Sequence, residues 1–269
     1  MTTYTANDRV IVNLTRQSGR ILTDKTRLEG GHTYHYVAVG EVELPMWVKQ
    51  ADLSSYYPTV PQPLFTRTAS PHILVVDNFL KDPDAVRQFA LGQVFVANEQ
   101  RYKGKRTAER FLWPGLKEEF ERLLNWQISN WTTLDTNGCF QVTGHQDPIV
   151  WHHDNQNYAA AIHLTPSAPV GAGTSFWRFK PNGCRRPASH PSESHRFSSD
   201  EQRDKAMESV YTLDSILKPD PWELVDKVGS VYNRLVMWDS KLFHSASSYE
   251  GLAGETPSSS RLIQLFFFD

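Results

Sequence analysis

The sequence predicts a mainly β fold, a sandwich or barrel of short strands with helices packed on its outside. From about residue 138 onward, short apolar segments recur between Gly, Pro, Asp and Asn residues. This spacing of strand and turn signals is typical of antiparallel all-β domains. Two helical segments precede that region, one beginning at Asp82 and the other near Gly115. We therefore expect two helices outside a core of strands.

Composition and charge exclude several classes of protein. The 269 residues include 28 Lys and Arg against 30 Asp and Glu, a formal net charge of −2. This balance argues against a surface that binds nucleic acid and against a polybasic membrane anchor. The longest apolar run, Leu265–Phe268, is far shorter than the roughly 20 residues of a membrane helix, and no signal peptide is visible. We expect a cytoplasmic protein with neither nucleic acid nor a membrane as partner.

The first part of the chain predicts strands, loops and then two helices. Residues 1–70 have strand character at 10–12 and 36–39, and three prolines follow at 58, 61 and 63. Ile73–Val76 is a buried-strand signal. Asp82 is a helix cap before Pro83, and apolar residues follow at helical spacing. Residues 96–113 are polar and basic, which predicts a loop before the second helix.

The second part predicts strands interrupted by one helical insertion. A region rich in Pro, Ser, Arg and His at 181–200 is expected to be exposed, and a helix is expected at 200–217. The predicted strands are Cys139–Thr143, Pro148–Trp151, Tyr158–Leu164, Thr174–Phe179, Val231–Trp238, Leu242–Ala246 and Arg261–Phe268.

One histidine and one carboxylate two positions apart predict a metal site. His152 and Asp154 project to the same face of an extended strand, so both side chains are able to bind one cation. His244, within an apolar strand 90 positions later, is the best candidate for a third ligand. Two histidines and one carboxylate form the facial triad of non-haem Fe(II) oxygenases, which leaves coordination positions open.

A second pair with the same spacing, His145 and Asp147, competes with this assignment. Pro148 follows it directly, which suits a loop better than a ligand-bearing strand. The later pair is followed directly by a predicted strand, then by a glycine turn and another strand. We therefore favour His152 and Asp154.

A single arginine opens the last predicted strand. Arg261 is followed by apolar residues, and a buried guanidinium needs a partner because an unpaired buried charge is costly. A salt bridge to a neighbouring strand would satisfy it. So would 2-oxoglutarate, which chelates iron through its keto acid and presents a far carboxylate that guanidinium binds in bidentate fashion.

The order of these motifs resembles the Fe(II)/2-oxoglutarate-dependent dioxygenases, in particular the prolyl-4-hydroxylase-like and phytanoyl-type branches. The similarity covers residues 138–269 and includes the strand from Tyr158, the Gly171-Ala172-Gly173-Thr174 turn and the segment Asn233–Trp238 before His244. It implies a double-stranded β-helix core, a jelly roll of the cupin type. It implies a single domain over 1–269. Its parts are an N-terminal extension (1–70), a strand and supporting helices (71–137) and the core (138–269). The core is expected to contain an insertion at about 180–228.

The same resemblance implies the roles of individual residues. His152, Asp154 and His244 would bind Fe(II), and Arg261 would bind the C5 carboxylate of 2-oxoglutarate. The family often has Ser two positions after this arginine, but position 263 is Ile, so Tyr158 and Thr174 are candidates for a second carboxylate donor.

The implied activity is oxidation with O₂, with 2-oxoglutarate converted to succinate and CO₂. Because the carboxylate of Asp154 is present, hydroxylation is favoured over the halogenation carried out by relatives that lack it. The expected substrate is an amino acid, a peptide or a small natural product. Two alternatives stay open: a jelly-roll binding module without activity, and a cupin-type metalloenzyme that does not use 2-oxoglutarate.

Two groups of basic residues bear on the charge of the substrate. The run Arg101–Arg106 is more simply a solvated loop than a clamp for an anion. Arg178, Arg185 and Arg186 add positive charge near the expected site, which favours a substrate with a carboxylate or phosphate.

Overall fold

The computed structural model describes residues 9–12, 17–39, 44–50, 53–55, 72–97 and 104–269. The chain forms two compact units, residues 1–68 and 69–269, which are described separately. The boundary falls close to the end of the predicted N-terminal extension at residue 70. The prolines at 58, 61 and 63 lie outside the described residues. No helix in the described ranges has the length and apolar character needed to span a membrane.

The first unit contains an antiparallel sheet. Its strands are β1 (Arg9–Val12), β2 (Gln17–Glu29), β3 (His32–Val39), β4 (Leu44–Lys49) and β5 (Leu53–Ser55), in the order β4-β3-β2-β1-β5. Ile21, Val37 and Val48 are buried. The strand character predicted at 10–12 and 36–39 is confirmed.

The second unit contains a larger antiparallel sheet. Its strands are β6 (Ile73–Val76), β7 (Phe95–Ala97), β8 (Lys105–Thr107), β9 (Phe140–Thr143), β10 (Tyr158–His163), β13 (Leu235–Asp239) and β15 (Arg261–Phe268), in the order β6-β13-β10-β15-β9-β8-β7. Strands β7 and β8 lie within the segment predicted as a loop at 96–113, so that prediction is wrong at these positions. Strand β7 pairs with the nearby β8, whereas β8 pairs with β9, where Arg106 lies opposite Gln141, 35 positions away; this long-range pairing leaves no local signal.

A smaller sheet faces the larger one. It consists of β11 (Thr174–Phe179), β12 (Trp222–Val228) and β14 (His244–Ala246), in the order β12-β11-β14. Phe176 of β11 packs against Ala159, Ala161 and Ile263 of the larger sheet. From β9 onward the chain passes repeatedly between these two facing antiparallel sheets. Strands β9 and β10 lie in the larger sheet, β11 and β12 in the smaller, β13 in the larger, β14 in the smaller and β15 in the larger. This is the arrangement of a jelly roll. The predicted mainly β jelly-roll fold with flanking helices is confirmed.

Helices pack on the outer face of the larger sheet. α1 (Pro83–Leu91) begins at its cap Asp82, whose carboxylate accepts a hydrogen bond from the Ala85 amide. α2 (Leu116–Leu124) buries Leu116, Phe120 and Leu124 against apolar residues of the sheet. Because alternate residues of a strand face opposite sides, one face of β10 contacts this helical layer and the other faces the smaller sheet.

The segment between β11 and β12 holds three short helices: α3 (Pro191–Ser194), α4 (Asp200–Val210) and α5 (Leu213–Leu217). The single helix predicted over 200–217 is therefore divided. Tyr211 ends α4, and the Thr212 hydroxyl accepts a hydrogen bond from the Ser215 amide at the start of α5. Leu213, the first residue of α5, is exposed.

Two strand predictions need correction. Residues 148–151 have no strand conformation, because the amide of Trp151 donates to the Ile216 carbonyl in α5 at 3.0 Å rather than to a sheet neighbour. Only an isolated antiparallel bridge between His152 and His244 extends the smaller sheet there. Residues 231–234 form a turn, so β13 begins at Leu235 rather than at Val231.

Candidate metal centre

Three side chains at one end of the smaller sheet form a cluster of potential metal ligands. One nitrogen of His152, one nitrogen of His244 and one oxygen of Asp154 all lie within 4.8 Å of one another. The bridge between the two histidines holds their backbones side by side, with the His152 amide donating to the His244 carbonyl at 3.0 Å. The Asp154 amide donates to the Ser240 carbonyl at 2.9 Å, which fixes the third ligand against the turn before His244.

Hydrogen bonds select which nitrogen of each histidine faces the cluster. His152 Nδ1 lies 3.0 Å from the Val150 carbonyl oxygen, and His244 Nδ1 lies 2.7 Å from the Leu242 carbonyl oxygen. A neutral imidazole that donates from Nδ1 presents the lone pair of Nε2. Both Nε2 atoms face Asp154, at 3.8 Å from Oδ1 for His152 and 3.3 Å from Oδ2 for His244. This arrangement is typical of metal-binding histidines.

The protonation states suit a cation. Burial and the neighbouring His244 lower the pKa of His152 to about 4. Burial alone would raise the pKa of Asp154, but its two histidine neighbours, His244 first and then His152, lower it to about 2. At neutral pH His152 is therefore neutral and Asp154 ionised, which are the forms that bind metals.

The cluster also contains an unsatisfied acceptor. Asp154 Oδ2 is buried and has no hydrogen-bond partner. A buried polar atom without a partner costs free energy, and a metal ion would remove that cost. Ligands that share one metal at about 2.1 Å lie about 3 Å apart. The Asp154 oxygens lie 3.3 and 3.8 Å from the two Nε2 atoms, slightly farther apart than in a filled site. The three residues fit a two-histidine, one-carboxylate site with open positions.

A cavity of about 530 Å³ adjoins the three ligands. Its walls are apolar at Val150, Ile216, Trp238 and Phe267. Its polar lining includes the ligands themselves and Arg106, Gln141, Gln156, Thr174, Tyr249 and Arg261. This combination of apolar walls with a few polar groups is typical of a small-molecule site.

Arg261 lines this cavity at the start of β15. It is only 4 % exposed, and its guanidinium donates to the carbonyls of Ala172 at 2.8 Å and Gly173 at 3.3 Å. No acidic side chain in the described part of the chain forms an ion pair with it. Burial lowers the pKa of Arg261, and Tyr249 opposes that shift. The structure therefore provides two neutral acceptors and leaves the charge to be balanced by an anion.

A glycine makes the contact with Arg261 possible. A Cβ atom at Gly173 would lie 1.9 Å from the Val228 carbonyl oxygen, so no other residue fits between β11 and β12. The Gly173 carbonyl can then approach the guanidinium. The Gly171-x-Gly173 turn noted in the sequence thus has a packing role.

The two expected second donors to a carboxylate lie in different places. Thr174 lines the cavity with Arg261. Tyr158 is on the opposite face of β10, where its ring packs against Trp126 and Phe268 in the layer of helices. The structure does not bring Tyr158 to the cavity, and we leave it out of the proposed ligand set.

Sequence reasoning missed Tyr249. It is buried, lines the cavity, and is close enough to Arg261 for each to affect the pKa of the other. Burial raises the pKa of the Tyr249 phenol, so the hydroxyl stays protonated and able to donate. Tyr249 is the only tyrosine in the sequence between His244 and Arg261. Its place between these two predicted site residues was the one feature of the sequence that could have pointed to it.

The competing pair lies in a turn outside the cluster. The Asp147 carboxylate accepts a hydrogen bond from the Gly144 amide at 2.8 Å, and His145 Nδ1 lies 3.2 Å from the Leu252 carbonyl oxygen. Neither side chain belongs to the group of potential metal ligands.

The arginines expected at a basic rim are paired with acids instead. Arg178 contacts Glu223 at 3.0 Å, Arg185 contacts Asp226 at 3.3 Å, and Arg186 contacts Asp239 at 2.8 Å. None of these arginines is among the described residues that line the cavity. They therefore give no support to an anionic substrate. Arg106, from the run that was interpreted as a solvated loop, does line it; residues 101–103 of that run lie outside the described residues.

The helical segment between β11 and β12 contacts the segment His152–Asp154 through His153. The Tyr211 hydroxyl hydrogen-bonds to His153 Nε2, and His153 Nδ1 lies 2.9 Å from the Asp154 carbonyl oxygen. With Nδ1 as donor, Nε2 accepts from the phenol. Tyr211, at the end of α4, thereby supports the backbone of a ligand without itself being one.

Residues 131–268 match the model of a family described as "Family of unknown function (DUF6445)". The match covers more than half of the chain and includes all three candidate ligands and Arg261. The chain belongs to this family. No functionally curated protein matches the DUF6445 chain.

Solved structures of low sequence identity resemble the DUF6445 chain. One is HygX from Streptomyces hygroscopicus with nickel and 2-oxoglutarate bound, at 13 % identity and a TM-score of 0.43, covering 74 % of this chain and 83 % of HygX. Another is a prolyl hydroxylase from Trichoplax adhaerens in complex with a hypoxia inducible factor oxygen degradation domain peptide fragment. It has 14 % identity and a TM-score of 0.38, covering 74 % of this chain and 84 % of that one. Resemblance at this level carries no argument about the activity of this chain.

Proposed function

We propose that this protein is a non-haem Fe(II)- and 2-oxoglutarate-dependent oxygenase that hydroxylates an unactivated C–H bond. The observation that carries the proposal is the buried Arg261, which has no acidic partner among the described residues and lines the same cavity as the two-histidine, one-carboxylate cluster. A metal site and a fixed cation in one cavity suit a cosubstrate with a metal-chelating end and a carboxylate end.

The residues have separate roles in this proposal. His152, Asp154 and His244 would hold Fe(II), and the iron would supply the oxidising chemistry with O₂. Arg261 would bind the C5 carboxylate of 2-oxoglutarate, with Thr174 and Tyr249 as hydroxyl donors beside it. The apolar walls around Trp238 and Val150 would exclude water and hold the substrate.

The overall reaction is balanced. The substrate R–H, O₂ and 2-oxoglutarate give R–OH, succinate and CO₂; one oxygen atom enters the alcohol and the other enters succinate. The carboxylate of Asp154 occupies the ligand position that a halogenating relative would leave to halide, so the product expected is an alcohol. The whole of residues 1–269 would act as one oxygenase domain, with residues 180–221 inserted between β11 and β12. The expected insertion at about 180–228 ends too late, because Trp222–Val228 is strand β12 of the smaller sheet.

The test is succinate release in air from purified protein with Fe(II) and 2-oxoglutarate. We expect slow release without added substrate, abolished by His244→Ala and unchanged by His145→Ala. Arg261→Gln should raise the KM for 2-oxoglutarate more than it lowers kcat, because the lost contact is to the bound cosubstrate.

Other outcomes would favour the alternatives. Metal binding without any dependence on 2-oxoglutarate would indicate a cupin-type metalloenzyme. Failure to bind a divalent metal would contradict the proposal and favour a binding module.

A further inference from the structure

Ser240 lies in the turn between β13 and β14 and is fully buried. Its three polar groups all contact one loop, residues 154–157, which joins Asp154 to β10. The Ser240 carbonyl accepts a hydrogen bond from the Asp154 amide at 2.9 Å, and its amide donates to the Asn157 carbonyl at 3.0 Å. Its hydroxyl donates to the Gln156 carbonyl. Because each polar group of this buried serine is paired with the loop, the residue holds the two segments together.

The next residue adds to the same contact. Lys241 Nζ donates to the Asp154 carbonyl at 3.4 Å and also to the Asn155 carbonyl. Three residues further along the chain is His244, whose Nε2 lies 3.3 Å from Asp154 Oδ2. The turn at Ser240 and Lys241 therefore connects the backbone of the carboxylate ligand to the histidine that faces it.

Arg186 pairs with this turn from the helical segment between β11 and β12. Its guanidinium contacts Oδ2 of Asp239, the last residue of β13, through Nε at 2.9 Å and Nη2 at 2.8 Å. Asp239 Oδ1 accepts a hydrogen bond from the Lys241 amide at 2.9 Å, so the carboxylate links Arg186 to the turn. Arg186 is only 8 % exposed. An arginine that was expected to favour an anionic substrate thus has its partner within the protein.

We propose that Ser240 and Arg186 are positioning residues for Asp154. Ser240 fixes the backbone of the ligand, and Arg186 fixes the turn that carries Ser240. Partners of metal ligands outside the coordination sphere typically change metal affinity by about 10- to 100-fold when they are removed. This inference rests on the proposed function for the identity of Asp154 as a ligand. It assigns Arg186 to the metal site rather than to the substrate.

Metal binding by purified variants tests the assignment. Ser240→Ala removes the hydroxyl that donates to the Gln156 carbonyl, and we expect it to weaken Mn(II) binding by about 10- to 100-fold. Arg186→Gln leaves the Asp239 carboxylate without its cation and loosens the turn, so we expect a loss of about tenfold. Electron paramagnetic resonance of free Mn(II) measures both affinities.

The visible absorption of bound Co(II) separates positioning from a loss of stability. The spectrum of this ion depends on the number and geometry of its ligands. At saturating Co(II), we expect an altered spectrum in Ser240→Ala, because the Asp154 carboxylate is no longer held in place. A variant that had only lost stability would keep the spectrum of the unaltered protein.

Two matched variants control for burial and for charge. Ser215→Ala removes another buried hydroxyl that donates to a backbone carbonyl, that of Ser209 at 2.8 Å. Arg178→Gln removes an arginine that is paired with Glu223. Both controls should keep the Mn(II) affinity and the Co(II) spectrum of the unaltered protein.

The role of Ser240 is overturned if Ser240→Ala keeps both the affinity and the spectrum, or if Ser215→Ala loses as much affinity. Unchanged affinity in Arg186→Gln would overturn the role of Arg186. If Ser240→Ala does not fold, Lys241→Met decides, because it removes the Nζ contacts from a half-buried side chain. Reduced Mn(II) affinity in that variant would support the positioning role of the turn, and unchanged affinity would overturn it.

Failure of the proposed function gives a different result, because the unaltered protein then binds neither metal. Amide hydrogen exchange of the metal-free protein decides in that case. Without the Ser240 hydroxyl, the amides of Asp154 and Ser240 should exchange about tenfold faster, since the contact between the turn and the loop opens more often. Unchanged exchange in Ser240→Ala would overturn the role of Ser240.

Discussion

The pairs His145/Asp147 and His152/Asp154 have the same residue types at the same spacing but different surroundings. In the first, the Asp147 carboxylate accepts from the Gly144 amide within its own turn, and His145 Nδ1 contacts the Leu252 carbonyl of a distant segment. In the second, the backbone bridge to His244 brings a third ligand to the pair. A His-x-Asp sequence is therefore a candidate metal site only where the fold places a third potential ligand beside it.

Removal of a ligand should produce the largest difference between the two segments. We expect His244→Ala or Asp154→Ala to weaken Mn(II) binding by more than about 100-fold, beyond the 10–100-fold typical of residues outside the coordination sphere. Asp147→Ala, the matched change in the first segment, should leave Mn(II) affinity unchanged. Electron paramagnetic resonance of free Mn(II) measures both. Equal losses in the two segments would contradict the assignment.

Arg261→Gln should have the next largest effect. The variant loses a charge-assisted contact to the cosubstrate, so the Kd for 2-oxoglutarate should rise by about 10- to 100-fold while Mn(II) affinity is kept. Arg178→Gln is the control, because its guanidinium is paired with Glu223. Unchanged 2-oxoglutarate affinity in Arg261→Gln would make this arginine structural.

A glycine substitution tests whether the first segment has a packing role. A Cβ atom at Gly144 would lie 2.2 Å from the Cα of Gly254, so Gly144→Ala forces two backbone segments apart. We expect a loss of about 1–3 kcal/mol in unfolding free energy, with metal affinity unchanged. Gly171→Ala is the control, since its nearest atom is the flexible Lys227 Nζ at 3.9 Å. Equal denaturant midpoints for the two variants would count against a packing role.

The smallest effect is expected at Tyr211. Tyr211→Phe removes the hydroxyl that binds His153, so α4 loses one hydrogen bond to the metal motif. A net loss of about 0.5–1.5 kcal/mol in unfolding free energy is expected. Chemical denaturation followed by Trp fluorescence measures it. A loss of metal affinity as large as that of Asp154→Ala would show that Tyr211 acts on the ligands more directly.

Local signals predicted most of the elements that carry the site. The cap at Asp82 and the apolar run of Arg261–Phe268 gave the correct helix and strand, because capping and burial are encoded in neighbouring residues. The strand expected at 148–151 failed because the Trp151 amide bonds to Ile216, which lies in a distant part of the chain. Periodicity contains no information about such a partner.

The residues of the candidate site also include some that local patterns predicted and some that only long-range pairing places there. His152, Asp154 and His244 were predicted from residue type and strand spacing, and the structure brings them together. Arg106 was interpreted as part of a solvated loop because its neighbours are polar and basic. Its place in the cavity depends on the pairing of β8 with β9, a long-range contact. Tyr158 has a hydroxyl able to bind a carboxylate, but it lies on the face of β10 opposite the cavity. The sequence of one strand does not show which of its faces will line the interior.

We propose that one cavity binds Fe(II) through His152, Asp154 and His244 and 2-oxoglutarate through Arg261. The most direct test is an anaerobic titration of the protein with Fe(II) and 2-oxoglutarate, followed by visible absorption. We expect a weak metal-to-ligand charge-transfer band that appears only when both are present, is absent in His244→Ala, and needs more 2-oxoglutarate in Arg261→Gln. Absence of the band in the unaltered protein, or an unchanged band in His244→Ala, would contradict this proposal.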